Sequence, residues 1–70
     1  MILMNILIMC NVRDERNNVW PKYFRFDNID EGVERFKSYL DLKERNLPIY
    51  IPNLGNYWFV GEIKLEVSNA

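Results

Sequence analysis

The sequence predicts an α+β domain of order β-β-α-β-β, a four-stranded, mostly antiparallel sheet with one helix packed on one face. Three observations carry this. The run Ile2 to Val12 is almost unbroken apolar residue, interrupted only by Asn5 and Asn11, as a strand central in a sheet requires. A single stripe at helical spacing lies between β-rich runs. Tyr57 to Val67 alternates between an apolar and a polar set, the mark of a strand buried on one side.

In the first strand, Ile2, Met4, Ile6, Ile8, Cys10 and Val12 form a wholly apolar face that should meet the core. Leu3, Asn5, Leu7, Met9, Asn11 and Arg13 form a mixed face. Arg13 to Asn18 is charged and rich in Asn, so it reads as a hairpin loop in which Asn17 and Asn18 tolerate left-handed angles. Val19 to Phe26 follows as a second strand. Pro21 lacks a donor and places this strand at a sheet edge. Phe24 and Phe26 should point inward, and Tyr23 and Arg25 outward.

A helix is expected to begin within Asp27 to Asp30, with Asn28 and Glu31 at capping-box spacing. Asp30 and Glu31 suit the positive end of its dipole. Ile29, Val33, Phe36, Leu40 and Leu47 form the stripe, with Tyr39 on its flank and Leu42 well off it, as an isolated exposed leucine. Gly32 costs the helix about 1 kcal/mol relative to Ala. Asn46 suits a C-cap and Pro48 ends the helix. Leu47 to Pro52 reads as a short third strand, with Ile49 and Ile51 on one face and Tyr50 on the other. Asn53-Leu54-Gly55-Asn56 is a turn signal. In the last strand Gly61 suggests a bulge, and Ser68 to Ala70 should fray.

Seventy residues, 49% of them hydrophobic, suffice for one domain spanning 1–70 with a thin margin of stability. Formal charge is −1 and the pI near 5.3, which argues against general polyanion binding. Residues 1–25 carry a balance of +2 and residues 26–70 one of −3. Cys10 stands alone in the apolar run, so an intrachain disulfide is excluded and a buried, inert thiol is expected. A zinc site is disfavoured without histidine and with one cysteine. The apolar run is too short to span a bilayer and lacks a signal-peptide pattern, so we expect a cytoplasmic product, in the host cytoplasm if the protein is viral, with no membrane role.

One helix covers one face. The other should carry Leu7, Met9, Tyr23, Tyr50, Trp58 and Val60, fringed by Arg13, Arg25 and Lys64, a large apolar patch for a small protein. Three occupants compete for it, namely a protein partner, a second copy of the chain and single-stranded nucleic acid stacked on Tyr23, Tyr50 and Trp58; strand coiling that hides the surface is the bland alternative. Arg13, Arg16, Lys22 and Arg25 beside Trp20 could grip phosphates and stack a base, against the plainer reading of a solvated hairpin tip. Asp27, Asp30, Glu31 and Glu34 could meet a basic partner surface, against that of an ordinary solvated helix start. No catalytic constellation, phosphate loop or cofactor motif qualifies, and the sequence points to a binding protein rather than an enzyme.

Asn11-Val12-Arg13-Asp14, then Pro21, Phe26-Asp27-Asn28, Glu31-Gly32-Val33-Glu34-Arg35-Phe36 and Asn56-Tyr57-Trp58-Phe59-Val60-Gly61-Glu62-Ile63, in this order, resembles the small nonstructural protein of gokushovirus-type microviruses. Val33 stands where that family has Ala. The family is regarded as DNA-binding, so the resemblance implies roles for Arg13, Lys22, Arg25 and Arg35. By analogy with other short, motif-free phage proteins, the leading expectation is a non-enzymatic phage or viral accessory protein. It would bind and modulate or inhibit a host protein, such as a nuclease or defence complex, through the open sheet face or the acidic surface. The alternative is a single-stranded DNA-binding accessory protein using Arg13, Arg16, Trp20, Lys22, Arg25 and Arg35.

Overall fold

A computed structural model of the chain describes residues 4–69. The elements are β1 (Met4–Arg13), β2 (Val19–Phe26), α1 (Ile29–Arg45), β3 (Ile49–Ile51) and β4 (Gly55–Asn69). They form the α+β, β-β-α-β-β arrangement that the residue pattern predicts. All strand pairs are antiparallel, in the order β2-β1-β4-β3. The first strand is therefore central, as its two-sided apolar character requires. Ile2 and Leu3, assigned to that strand from sequence, lie outside the described residues.

The hairpin between β1 and β2 is built by Asn17 and Asp14. Asn17 takes a left-handed φ of 67° and donates its N–H to the Asp14 carbonyl, while the Asp14 N–H donates to Asn18 at 2.9 Å. This is a type I turn closed by a left-handed residue, a common three-residue hairpin. Asn18 does not need the left-handed angle.

Asn28 caps α1, its side-chain oxygen accepting from the Asp30 and Glu31 N–H groups at 2.8 and 3.2 Å. Asn46 ends the helix at φ 56°, its N–H donating to the Lys43 carbonyl and the Leu47 N–H to that of Leu42, a Schellman closure. The buried edge of α1 runs through Gly32, Phe36, Tyr39 and Leu42; of the expected stripe Ile29, Val33, Phe36, Leu40 and Leu47, Phe36 lies on it. Leu40 and Leu47 are substantially exposed, Tyr39 is buried, and Leu42 packs on the core. The cause is Gly32. A Cβ there would overlap the Ile6 Cγ2 methyl, so the helix backbone itself sits on the sheet at this point. That close approach fixes the helix's rotation, and the missing side chain hides it from any hydrophobic pattern.

Ile6, Ile8 and Val12 are the most deeply buried side chains, and with Cys10, Tyr39, Phe59 and Ile63 they make the core. Tyr39 bridges two strands, its ring 5.1 Å from Phe24 and 4.8 Å from Phe59, within the range of favourable aromatic pairs. In β4 the register slips between Val60 and Lys64, so three residues lie opposite Cys10 alone. Gly61, at φ 72°, absorbs this bulge. The inner face therefore continues from Tyr57 and Phe59 to Ile63 and Leu65 with its alternation intact. Strand β4 begins at Gly55, two residues earlier than expected. Its far end does not fray within the described residues: Ser68 pairs with Asn5 and Asn69 with Met4. Ala70 lies outside them.

Candidate functional site

The even residues of β1 are buried under α1, so its odd residues face the uncovered side. Three rows cross that side: Arg25–Leu7–Glu66, Tyr23–Met9–Lys64 and Pro21–Asn11–Val60. A fourth, Val19–Arg13–Trp58, lies nearest the hairpin tip. Leu7, Met9, Trp58 and Val60 are only half exposed. Long charged neighbours lay their stems along this surface; the Arg13 guanidinium sits 5.0 Å from the Trp58 ring centroid, and Lys64 pairs with Glu62 at 3.6 Å. The sheet thus partly roofs its own open face, and the six expected contact residues do not form one bare patch. Tyr23 and Tyr50, 61% and 70% exposed, are the conspicuous exceptions.

Those two tyrosines stand on opposite edge strands, each with its side chain in the outer-face register, yet both residues border one cleft. The sheet curls until the edges β2 and β3 bound a shared space of about 470 Å³, floored by Arg35 and Tyr39 of the helix. A second cleft of about 290 Å³ continues it toward the hairpin tip, between Trp20 and Pro21 on one side and Ile51 and Leu54 on the other. Val19, Trp20 and Leu54 are each more than half exposed. The trough was not foreseen, because curl is a property of the whole sheet. Its one local trace was Leu54, a leucine in a turn.

The six residues of the expected nucleic-acid set divide. Lys22, Arg25 and Arg35 share the first cleft. Trp20 belongs to the second, Arg16 to the exposed tip, and Arg13 to the open face against Trp58. The tip is organised by an acid. Asp14 Oδ1 accepts from the Arg16 and Asn18 N–H groups, both at 2.9 Å, and Oδ2 from the Trp20 indole at 3.2 Å and the Asn18 amide at 3.4 Å. Desolvation alone would raise this carboxyl. The donors from Asn18, Trp20 and Arg16 outweigh it and hold the group below the ordinary aspartate value of 3.8. Asn56 ties the tip to the β3–β4 turn by donating to Glu15 at 3.3 Å.

Cys10 behaves as a core residue. Burial pushes its thiol up from 9.0 to about 11, only partly offset by Lys22, and its Sγ lies 3.6 Å from the Lys22 carbonyl. Burial likewise raises the Tyr39 hydroxyl, against the opposing effect of Arg35. Asp27, Asp30, Glu31 and Glu34 are all exposed around the helix start, and no group of three or more candidate metal ligands occurs among the described residues. No described helix is long and apolar enough to cross a membrane. Comparison of the chain with protein families, with curated proteins and with solved structures found no match.

Proposed function

We propose that the chain is a non-enzymatic binding protein that acts by occupying a protein partner, in the manner of a small phage or viral accessory protein that disables or modulates a host factor. The observation that carries this is the gathering of exposed apolar and aromatic residues along the two edges that bound one trough. Trp20, Tyr23, Tyr50 and Leu54 belong to the two edges that bound the trough and are its most exposed apolar residues. Exposed aromatics beside arginine are what the centre of a protein interface prefers. Burial raises both the Cys10 thiol in the core and the Tyr39 hydroxyl on the cleft floor, which disfavours the deprotonated form a nucleophile or base needs. The resemblance to a microvirus protein supports the viral setting.

A second reading has its own support. Lys22, Arg25 and Arg35 with Tyr23 and Tyr50 in one cleft make a short surface for single-stranded DNA.

Affinity capture from host lysate treated with nuclease separates the two. Under the protein-binding reading a defined protein is retained stoichiometrically after nuclease treatment and lost with the double variant Tyr23→Ala/Tyr50→Ala. Retention of nothing but nucleic acid, or of no protein at all, overturns it.

A further inference from the structure

The trough changes chemistry along its length. At the Phe26 end Lys22 and Arg35 line it from the helix side and Arg25 borders it from the outer face of β2, with no acidic residue among the described residues that line it, although the chain as a whole carries −1. Toward the tip its walls are Trp20, Pro21, Ile51, Leu54 and Tyr57. Lys22 and Ile51 line both stretches, so the two are continuous.

The backbone along this trough is also poised. Antiparallel pairs alternate between exchanging hydrogen bonds and not. The Asp14–Asn18 bond sets the phase, so Val12–Trp20, Cys10–Lys22 and Ile8–Phe24 are the bonded pairs. The N–H and C=O groups of Tyr23 and Arg25 then point away from β1, toward the cleft. Pro21 falls in the same outward register, where its missing N–H costs the β1–β2 ladder nothing.

We propose that the trough takes an extended acidic segment of a partner protein, added as a strand along the free edge of β2. Its carboxylates lie against Lys22, Arg25 and Arg35, and its apolar side chains against Trp20 and Leu54. This deepens the protein-binding reading above and rests on it. The stretch Trp20 to Phe26 is about 20 Å of strand, enough for about six residues of partner. Strand addition draws affinity from main-chain hydrogen bonds and specificity from alternate side chains, and guanidinium–carboxylate pairs add charge-assisted bonds.

The other occupants fit less well. A second copy paired antiparallel through the same edge would bring the basic stretch Lys22 to Arg25 beside the same stretch of its partner, and like charges close across strands are destabilising. A nucleic acid carries charge at every unit, and along the trough it would pass Asp14 and Glu15, which border Trp20 and Leu54 at the tip.

The test uses the full chain and labelled peptides read by fluorescence anisotropy. The probe has three glutamates at one end and alternating valine and threonine at the other, made in both chain directions. Its comparators are a lysine-for-glutamate version, a version N-methylated at alternate amides, and an oligothymidylate of the same length. The acidic probe should bind in one direction, with both altered peptides at least about tenfold weaker, the scale of one lost charge-assisted bond. Arg25→Glu should weaken it by a similar factor with an unchanged circular dichroism spectrum, while Glu34→Gln should leave it unaffected. Equal binding of the lysine peptide, indifference to N-methylation, no binding in either direction, or displacement of the acidic probe by the oligonucleotide would each overturn the proposal. If the peptides fail while nuclease-resistant capture of a protein persists, the cleft assignment falls and the binding reading stands. If capture fails too, both fall.

Discussion

The two ends of the curled sheet are made from the same strands and similar residues, yet they are held together differently. At the end under the helix, Ile6 and Ile8 are fully buried, Gly32 touches Ile6, and Tyr39 locks Phe24 to Phe59. At the hairpin end, Trp20 and Leu54 remain about half exposed, and the order comes from polar contacts around Asp14 and from the Asn56–Glu15 bond. Length explains the division. A helix of 17 residues is about 25 Å long, and the molecule extends 43 Å along its longest axis. Toward the hairpin tip the edge residues Trp20 and Leu54 become surface, while Val12 on the central strand, opposite Trp20, stays buried. A residue's role here depends less on its hydrophobicity than on where in the sheet it falls.

The contrast can be broken most severely at Tyr39. Tyr39→Ala should cost about 3–4 kcal/mol, as aromatic truncations in cores do, measured by urea unfolding. A loss below about 1 kcal/mol would mean that the ring is not the bridge between β2 and β4. A smaller effect of informative sign is expected at Gly32. Helix propensity alone says that Gly32→Ala stabilises by about 1 kcal/mol. Overlap with Ile6 says the reverse, and a net loss of about 1–2 kcal/mol is expected in the same assay. Any gain in stability would show that helix and sheet are not in contact there.

The gentlest prediction concerns the polar end. Asp14 has a depressed carboxyl, so its contribution is fully present above the unfolded value of 3.8 and is lost as pH falls below it through the folded value. Protection of the Arg16 and Asn18 amides, taken relative to the intrinsic exchange rate at each pH, should fall on acidification before that of the β1 amides. Asp14→Asn should show the same loss of protection already at neutral pH, with little change in Tm. Loss of protection in β1 at the same pH would mean the two ends are not separable.

Much of the core end could be read from residue order. The parity of β1, the Asn28 and Asn46 caps and the Gly61 bulge follow from local rules, and each is where those rules put it. The rotation of α1 does not follow, because Gly32 makes its contact through an absent side chain. The trough was illegible for a different reason. Tyr23 and Tyr50 stand at opposite edges of the strand order, and only the curl brings them to one cleft. Parity assigned both to a flat open face, and no local pattern reports how far a sheet bends.

The pairing of β1 with β4 also sets a timetable. Ile6 lies opposite Val67, so the central strand waits until β4 has been translated before its second edge is filled. At about 5–20 residues per second, that delay is on the order of several seconds. During it, the β1–β2 hairpin and the helix can assemble, but one side of the most apolar strand has no neighbour. Non-local closure of this kind is slow to nucleate. The nascent protein therefore spends its most aggregation-prone interval on the ribosome, and a product that terminates before β4 would keep that vulnerability for its whole lifetime.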